Sequence, residues 1–228
     1  MLLLAVDTSG KHGSIALARC GPGIACEVIE VAELSGGTFS AELVPQIAAL
    51  LEKHDLTKED LGAFAVVSGP GSFTGLRIGL AVVKALAEVL AKPIAAVSML
   101  EVLVSVGGST GKVIAALDAG RNEVFLGEYE VGECEVDGVK TQLIRESLVN
   151  RDKWLESTGR EAIVTPEHAI PETARAKGLR VVEVERPRSD AVARLGWRKI
   201  ASGDTVSAEM LDAKYIGRSE AELFVKGS

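Results

Sequence analysis

The sequence predicts an α/β protein made of two units with similar architecture. Its first strand, Leu2 to Val6, is a continuous apolar run, as expected for a strand that is buried on both faces. A second such run, Phe64 to Val67, leads through a glycine-rich turn into an almost wholly apolar helix over residues 80–90. After a glycine segment near mid-chain, the pattern of strand, acidic turn and hairpin begins again, which indicates a duplicated fold.

Three strands open the first half. The first ends in the polar turn Asp7-Thr8-Ser9-Gly10, and alternating apolar residues predict further strands over 14–19 and 25–32. A meander of three strands with an acid directly after the first is the opening of the actin-like ATPase fold, which sugar kinases and heat-shock ATPases share. We therefore expect two actin-like, ribonuclease H-like (ASKHA) subdomains, each with a mixed central sheet.

Two helices are expected in this half. The first begins at Ser40, its N-cap, and carries apolar residues at helical spacing, among them Leu43 and Ile47. The second follows the glycine-rich turn, begins at Thr74 and continues to Leu90.

The subdomain boundary is expected at a flexible, uncharged segment near mid-chain, Gly107-Gly108-Ser109-Thr110-Gly111. Beyond it, the apolar run Val113 to Leu117 ends in an acid, Asp118, as the first strand of the chain does. The sequence thus predicts an N-terminal subdomain with the partner-binding helices, residues 1–106, and a C-terminal subdomain, residues 107–228.

Composition limits the classes of function. The net charge of −7 argues against tight, autonomous nucleic-acid binding, which needs a basic face. Cys20, Cys26 and Cys134 fit no metal spacing and are expected to be free thiols in a reducing cytoplasm. The N-terminal apolar run is too short for a signal peptide, and no uninterrupted apolar run reaches membrane-spanning length. We therefore expect a cytoplasmic protein that does not contact the membrane.

The most distinctive motif is the glycine loop Ser68-Gly69-Pro70-Gly71-Ser72. Gly69 and Gly71 permit backbone conformations that are closed to other residues, and Pro70 stiffens the turn. The free N–H groups at the start of the following helix could hold an anion. A tight turn that packs a helix against a sheet would use the same residues. The motif is neither a Walker P-loop nor the dinucleotide Gly-x-Gly-x-x-Gly, because the spacing and the required lysine are missing.

Two aspartates are candidates for a nucleotide site. In actin-like ATPases the acids that match Asp7 and Asp118 bind Mg²⁺ or position water beside turns that wrap phosphate. Here the turns offer few ligands, and both aspartates are equally typical of turn-forming or capping residues. We interpret Asp7, Thr8, Ser9 and Asp118 as a vestigial nucleotide site. A small ATP-dependent phosphotransferase that uses Asp7 and Asp118 is the alternative.

The sequence offers no set of metal ligands and no hydrolase nucleophile. His12, His54 and His168 are far apart and form no His-x-x-x-His pattern. Ser72 lacks the Gly-x-Ser-x-Gly elbow of serine hydrolases. We therefore expect that this chain binds no metal and has no peptidase activity.

Residues 68–79, Ser-Gly-Pro-Gly-Ser-Phe-Thr-Gly-Leu-Arg-Ile-Gly, resemble the signature of the TsaB (YeaZ) family. These bacterial proteins help to make the threonylcarbamoyl modification of an adenosine in tRNA. Residues 4–9 resemble the opening of the family, and residues 117–124 resemble its second-half motif Asp-Ala-Arg-x-x-Glu-Val. The resemblance covers most of the chain. It departs from the family at Phe39, where many members carry histidine.

The resemblance implies a non-catalytic scaffold or activator subunit of tRNA N6-threonylcarbamoyladenosine synthesis. Members of the family pair with TsaD, the paralogue that holds metal and nucleotide, and the ATPase TsaE completes the assembly. This implies no cofactor in this chain, with metal and ATP in the partner subunits. It also implies a homodimer when the chain is alone, and tRNA bound only through the complex.

The resemblance also places the partner interface on the first two helices. Glycine inside a helix costs about 1 kcal/mol relative to alanine, so Gly75 and Gly79, which share a helix face, require a reason. Close packing against the same subunit or against a partner would explain them, and the resemblance favours the partner. Gly79→Leu is then expected to abolish association while the monomer stays folded. The expected interface residues are Ser40, Leu43, Ile47, Phe73, Thr74, Gly75, Arg77, Ile78 and Gly79.

A local basic cluster lies in the last predicted helix, which spans residues 190–201. Arg194 and Arg198 share a face of this helix, and Lys199 adjoins them. Such a cluster is usually a solvated face, and a contact with tRNA or an acidic partner is the functional alternative.

Overall fold

The computed structural model describes residues 1–21, 24–134, 138–157, 159 and 161–217. It divides the chain into two units. Of the described residues, unit 1 comprises Met1–Met99 and Pro187–Lys214, and unit 2 comprises Leu100–Arg186 and residues 215–217. Within the described ranges, no helix combines the length and the apolar character that crossing a membrane requires.

The elements follow along the chain in this order: β1 (Leu2–Asp7), β2 (Gly13–Gly21), β3 (Ile24–Leu34), α1 (Phe39–Lys53), a 3-10 helix (Lys58–Asp60), β4 (Leu61–Gly69), α2 (Phe73–Leu90), β5 (Ile94–Ser98), α3 (Met99–Val106), β6 (Gly111–Gly120), β7 (Glu123–Cys134), β8 (Gly138–Asn150), α4 (Arg151–Ser157), β9 (Ala162–Thr165), α5 (Ala169–Ala176), β10 (Val181–Glu183) and α6 (Ser189–Ala201).

Unit 1 is built on a five-stranded mixed sheet in the order β3-β2-β1-β4-β5. The strands β1, β2 and β3 form an antiparallel meander, whereas β4 pairs parallel with both β1 and β5. The central strand β1 is fully buried from Leu3 to Val6, as its continuous apolar run predicted. This arrangement confirms the ribonuclease H-like architecture of the first half.

Unit 2 repeats the same topology. Its sheet has the order β10-β9-β6-β7-β8, in which β6, β7 and β8 are antiparallel and β9 pairs parallel with β6 and β10. The helices α4 and α5 close its core, where Trp154, Leu155 and Ile170 pack with the apolar residues of β6 and β7. The predicted fold of two actin-like subdomains with mixed sheets is therefore confirmed.

The division of the chain differs from the predicted boundary between residues 106 and 107. Helix α6, which was expected in the C-terminal subdomain, belongs to unit 1 and contacts all five strands of its sheet. The absence of a side chain at Gly196 lets the helix approach β4, because a Cβ there would overlap the Cβ of Ala65. The sequence predicted this helix over residues 190–201, but not the sheet that it covers.

The glycine segment 107–111 does not separate the two units. It joins α3 to β6 inside unit 2, and a Cβ at Gly107 would lie 2.6 Å from a methyl group of Val164. The predicted flexible linker is therefore a packed connection.

Both helices of the first half begin slightly earlier than expected. The N–H groups of Ala41 and Glu42 donate to the carbonyl of Thr38, so α1 begins at Phe39 rather than after a cap at Ser40. Helix α2 begins at Phe73, and its N-cap is Ser72, whose hydroxyl accepts a hydrogen bond from Gly75 N at 3.3 Å.

Candidate functional site

The turn after β1 is the position at which an actin-like ATPase would bind phosphate. Asp7, Thr8 and Ser9 are each only 2% exposed. Oδ1 of Asp7 accepts hydrogen bonds from the backbone N–H of Ser9 at 2.8 Å and from its hydroxyl at 2.6 Å. The Asp7 carboxylate is thus engaged by its own turn, as is typical of a turn-forming aspartate.

Thr8 joins this turn to the start of α2. Its hydroxyl donates a hydrogen bond of 2.7 Å to the carbonyl of Gly75. A Cβ at Gly75 would overlap the carbonyl oxygen of Thr8, and a Cβ at Gly79 would overlap the Thr8 hydroxyl. Both glycines are buried, and a close approach within unit 1 accounts for both. This contact explains both glycines without a partner, and their place at a partner-facing surface stays a prediction.

Backbone hydrogen bonds hold the glycine loop at both of its ends. The N–H of Ser72 donates to the carbonyl of Ser9 at 2.7 Å, and a Cβ at Gly71 would lie 2.6 Å from the Cβ of Ser9. On the other side, Lys214 N donates to the carbonyl of Ser68 at 2.8 Å. Gly69 has φ +148°, and a Cβ there would lie 2.5 Å from the carbonyl oxygen of Lys214. The peptide bond between Gly69 and Pro70 is cis. Packing between three chain segments thus accounts for the conformation of this loop.

Asp118 stands in unit 2 where Asp7 stands in unit 1, at the end of the central strand. It is exposed, and its Oδ1 accepts a hydrogen bond of 3.2 Å from Gly120 N. After Gly120, both Arg121 and Asn122 have positive φ. The side-chain amide of Asn122 donates a hydrogen bond of 2.7 Å to the carboxylate of Asp152. Asp118 therefore shapes a tight turn.

The residues that the structure describes do not form a site for the metal that the resemblance attributes to TsaD. Across the part of the chain that the structure describes, no three His, Cys, Asp or Glu side chains come close enough to hold a metal ion. Nε2 of His54 lies 2.8 Å from Oε2 of Glu30, and His168 is 98% exposed.

Hydrogen bonds from Lys53 and then His54 lower the pKa of the Glu30 carboxyl.

The predicted interface residues separate into two groups. Ser40, Phe73, Thr74 and Arg77 are exposed, and the guanidinium of Arg77 lies 3.7 Å from the centroid of the Phe73 ring. Ile78 is half-buried. Leu43 and Ile47 are buried within unit 1, as Gly75 and Gly79 are, so they position the helices and do not form their outer surfaces.

Helices α1 and α2 pack against each other. Both carry exposed apolar residues that the sequence prediction missed. Val44 and Val89 are 58% and 75% exposed. No exposed residue of α1 between Ser40 and Ala49 is charged. A second apolar stripe at helical spacing was the signal that could have revealed this surface. We define the α1–α2 surface as Ser40, Ala41, Val44, Ala48, Phe73, Thr74, Arg77, Ala81 and Ala85.

The chain itself engages much of the basic cluster of α6. Nη1 of Arg194 donates to the carbonyl of Cys26 at 3.2 Å, and Nζ of Lys199 lies 2.7 Å from Oδ2 of Asp204. Arg198 is half-buried. The contact of these residues with tRNA stays a prediction.

Comparisons with known proteins identify the family. The family model described as TsaD, tRNA N6-adenosine threonylcarbamoyltransferase, matches residues 31–196. The tRNA threonylcarbamoyladenosine biosynthesis protein TsaB of Bacillus subtilis is 35% identical over 68% of this chain, which spans 65% of that protein. The Escherichia coli protein of the same name is 28% identical over 97% of this chain and 96% of its own length.

A solved structure agrees with the observed fold. YeaZ from Pseudomonas aeruginosa superposes with a TM-score of 0.74 at 24% identity, over 94% of this chain and all of that one. The chain therefore belongs to the TsaD family and, within it, to the TsaB (YeaZ) group, whose curated members are named tRNA threonylcarbamoyladenosine biosynthesis proteins.

Proposed function

We propose that this chain is a non-catalytic scaffold or activator subunit for the synthesis of tRNA N6-threonylcarbamoyladenosine in the cytoplasm. The observation that carries the proposal is the turn Asp7-Thr8-Ser9. In a working actin-like ATPase this turn wraps phosphate, whereas here it is buried and hydrogen-bonded to itself and to the start of α2. The chain keeps the architecture of an ATPase, whereas the polar groups of this turn are hydrogen-bonded within unit 1.

The partner in this proposal is a TsaD-type protein that holds the metal and the nucleotide. The donors that a metal requires do not cluster in the described part of this chain. The catalytic groups would then come from the partner, TsaE would join the pair, and tRNA would bind through the assembly. The names of the curated TsaB relatives support this assignment.

The α1–α2 surface is the proposed place of contact. It combines small side chains, such as Ala81 and Ala85, with exposed apolar ones, such as Val44 and Phe73. Small residues let another helix approach closely, and a near absence of charge is typical of the core of a protein interface. The same surface would form the homodimer when the chain is alone.

A charged residue in the middle of this surface tests the proposal. Ala81→Glu keeps a good helix former at an exposed position, so unit 1 should fold normally. We expect it to abolish both self-association and pairing with TsaD, because any contact at this surface would have to bury the new carboxylate. Ala176→Glu, at an exposed position of helix α5, is the matched control and should change neither self-association nor pairing.

The measurements are size-exclusion chromatography with light scattering, alone and with TsaD, and tRNA modification with the partner proteins. Circular dichroism reports folding of each variant. A folded Ala81→Glu protein that still pairs and supports modification would place the interface elsewhere. Modification by the wild-type chain without TsaD would contradict the scaffold role itself.

A further inference from the structure

Two cysteines with no part in the proposed function lie side by side in the β2–β3 hairpin of unit 1. The sulfur atoms of Cys20 and Cys26 are 2.7 Å apart, and each residue is only 2% exposed. Six positions separate them in the sequence, which gave no sign that they meet.

The strand register explains why they meet. Arg19 of β2 pairs with Glu27 of β3, and both of these side chains are exposed. Cys20 and Cys26 are the next residues along the two strands, just before the register shifts to pair Gly21 with Ile24. Because side chains alternate between the faces of a strand, both cysteines project to the buried face. Directly opposite side chains of an antiparallel pair lie close enough for a disulfide to bridge them.

The separation of the sulfur atoms distinguishes between two roles of a cysteine pair. Two thiolates on one tetrahedral zinc ion, each about 2.3 Å from the metal, would be about 3.7 Å apart. A disulfide bond is about 2.05 Å long. The two sulfur atoms are in direct contact, which leaves no room for a zinc ion between them and allows a bond to form after a small adjustment of the side chains. In addition, no third donor completes a metal site among the described residues.

We propose that Cys20 and Cys26 are a reversible redox modification site that a peroxide converts into an intramolecular disulfide. One thiol, as its thiolate, attacks an oxygen of hydrogen peroxide and breaks the O–O bond, which gives a sulfenic acid and a hydroxide ion that takes up the thiol proton to become water. The second thiol then attacks the sulfenic sulfur, forms the S–S bond and releases a second molecule of water. The two thiols lose two protons and two electrons in total, and the peroxide is reduced to water.

The burial of the pair determines which reagents reach it. A small peroxide enters a buried site more readily than a bulky disulfide, because thiol–disulfide exchange requires an in-line approach to sulfur. The hairpin also adjoins α6, since the carbonyl of Cys26 accepts a hydrogen bond of 3.2 Å from Arg194. The disulfide would therefore lock the end of the hairpin that α6 contacts.

The test uses the full chain with Cys134→Ser, which removes the third thiol. The protein is treated with hydrogen peroxide, unfolded, labelled with iodoacetamide and weighed by intact mass spectrometry. We expect a species that takes no label and is lighter by two hydrogen atoms, with Cys20 and Cys26 cross-linked in the peptide map. Dithiothreitol should restore two labelled cysteines.

The control is the same protein with the further substitution Cys20→Ser. It should form no intramolecular bond, and its remaining Cys26 should stay labelled or gain oxygen. The proposal is overturned if the Cys134→Ser protein keeps both cysteines fully labelled after peroxide. Gain of oxygen at both sulfurs, or cross-links between chains in place of the internal bond, would equally overturn it.

Discussion

The hydroxyl of Thr8 donates a hydrogen bond of 2.7 Å to the carbonyl oxygen of Gly75, across 67 positions of the sequence. This buried contact fixes the turn after β1 against the first turn of α2. A side chain at Gly79 would meet the same hydroxyl. The turn that corresponds to the phosphate-binding turn of actin-like ATPases is therefore part of the core of unit 1.

Gly79→Ala should destabilise unit 1, because its Cβ would press on the Thr8 hydroxyl. Overpacking costs about 1–3 kcal/mol, and the better helix propensity of alanine offsets about 1 kcal/mol of this. In Thr8→Ala/Gly79→Ala the nearest atom is the Cβ of residue 8, at 3.5 Å, which is an ordinary contact. Urea unfolding of the four proteins should therefore give a favourable coupling of about 0.5–3 kcal/mol. Additive effects would contradict the proposed contact.

The same contact changes the expectation for Gly79→Leu. A leucine cannot fit between α2 and Thr8, so we now expect loss of the fold of unit 1, seen by circular dichroism. A folded Gly79→Leu monomer that fails to pair would restore the partner-facing interpretation.

Asp7→Asn should leave tRNA modification by the complex intact. Asparagine keeps the oxygen that accepts from the N–H and hydroxyl of Ser9, so the turn is preserved. Asp7→Ala removes that acceptor from a buried site and should cost about 1–3 kcal/mol of unfolding free energy. The two variants are compared by modification assay and melting temperature. An inactive Asp7→Asn protein with an unchanged melting temperature would revive the ATPase alternative.

Ser189→Ala should loosen α6 from the sheet of unit 1. The hydroxyl of Ser189 donates to the carbonyl of Ser14 at 2.6 Å, and Ser189 N donates to the Ser14 hydroxyl at 2.9 Å. Both residues are buried, so losing the Ser189 hydroxyl leaves polar atoms of Ser14 without this partner, at a cost of about 1–3 kcal/mol. Ser202→Ala, at the exposed end of α6, is the control in urea unfolding. Equal midpoints for the two variants would contradict this role.

The Glu30 carboxyl should titrate below its ordinary range, because Lys53 and then His54 donate hydrogen bonds to its charged form and lower its pKa. Since the folded-state pKa lies below the unfolded value, the cluster stabilises the fold above the unfolded pKa. That contribution is lost as the pH falls through the folded pKa. Carboxyl NMR should show the lowered pKa in the wild type and a higher one in Lys53→Ala. Lys58→Ala, which removes an exposed lysine at another carboxylate, should leave Glu30 unchanged.

Local sequence patterns were sufficient to predict most of the fold. The buried strand β1 and the hairpins that follow it depend on the spacing of apolar residues. The restart of the pattern at β6 predicted the duplicated topology, because each sheet repeats the same order of strands. At the site, the turn-forming role of Asp7 was one of the two interpretations that the residues themselves left open.

By itself, the sequence determined which residues share a face and which segments turn: the basic face of α6, the two helical glycines and the polar turn after β1. Only the tertiary structure decided what lies against each face. Ser14 and Ser189 meet across 175 positions, and no periodicity along one segment contains the identity of a neighbour so distant. Gly79 therefore faces Thr8 rather than a partner, and α6 covers the first sheet rather than the second, because packing selects among surfaces that local spacing leaves equivalent.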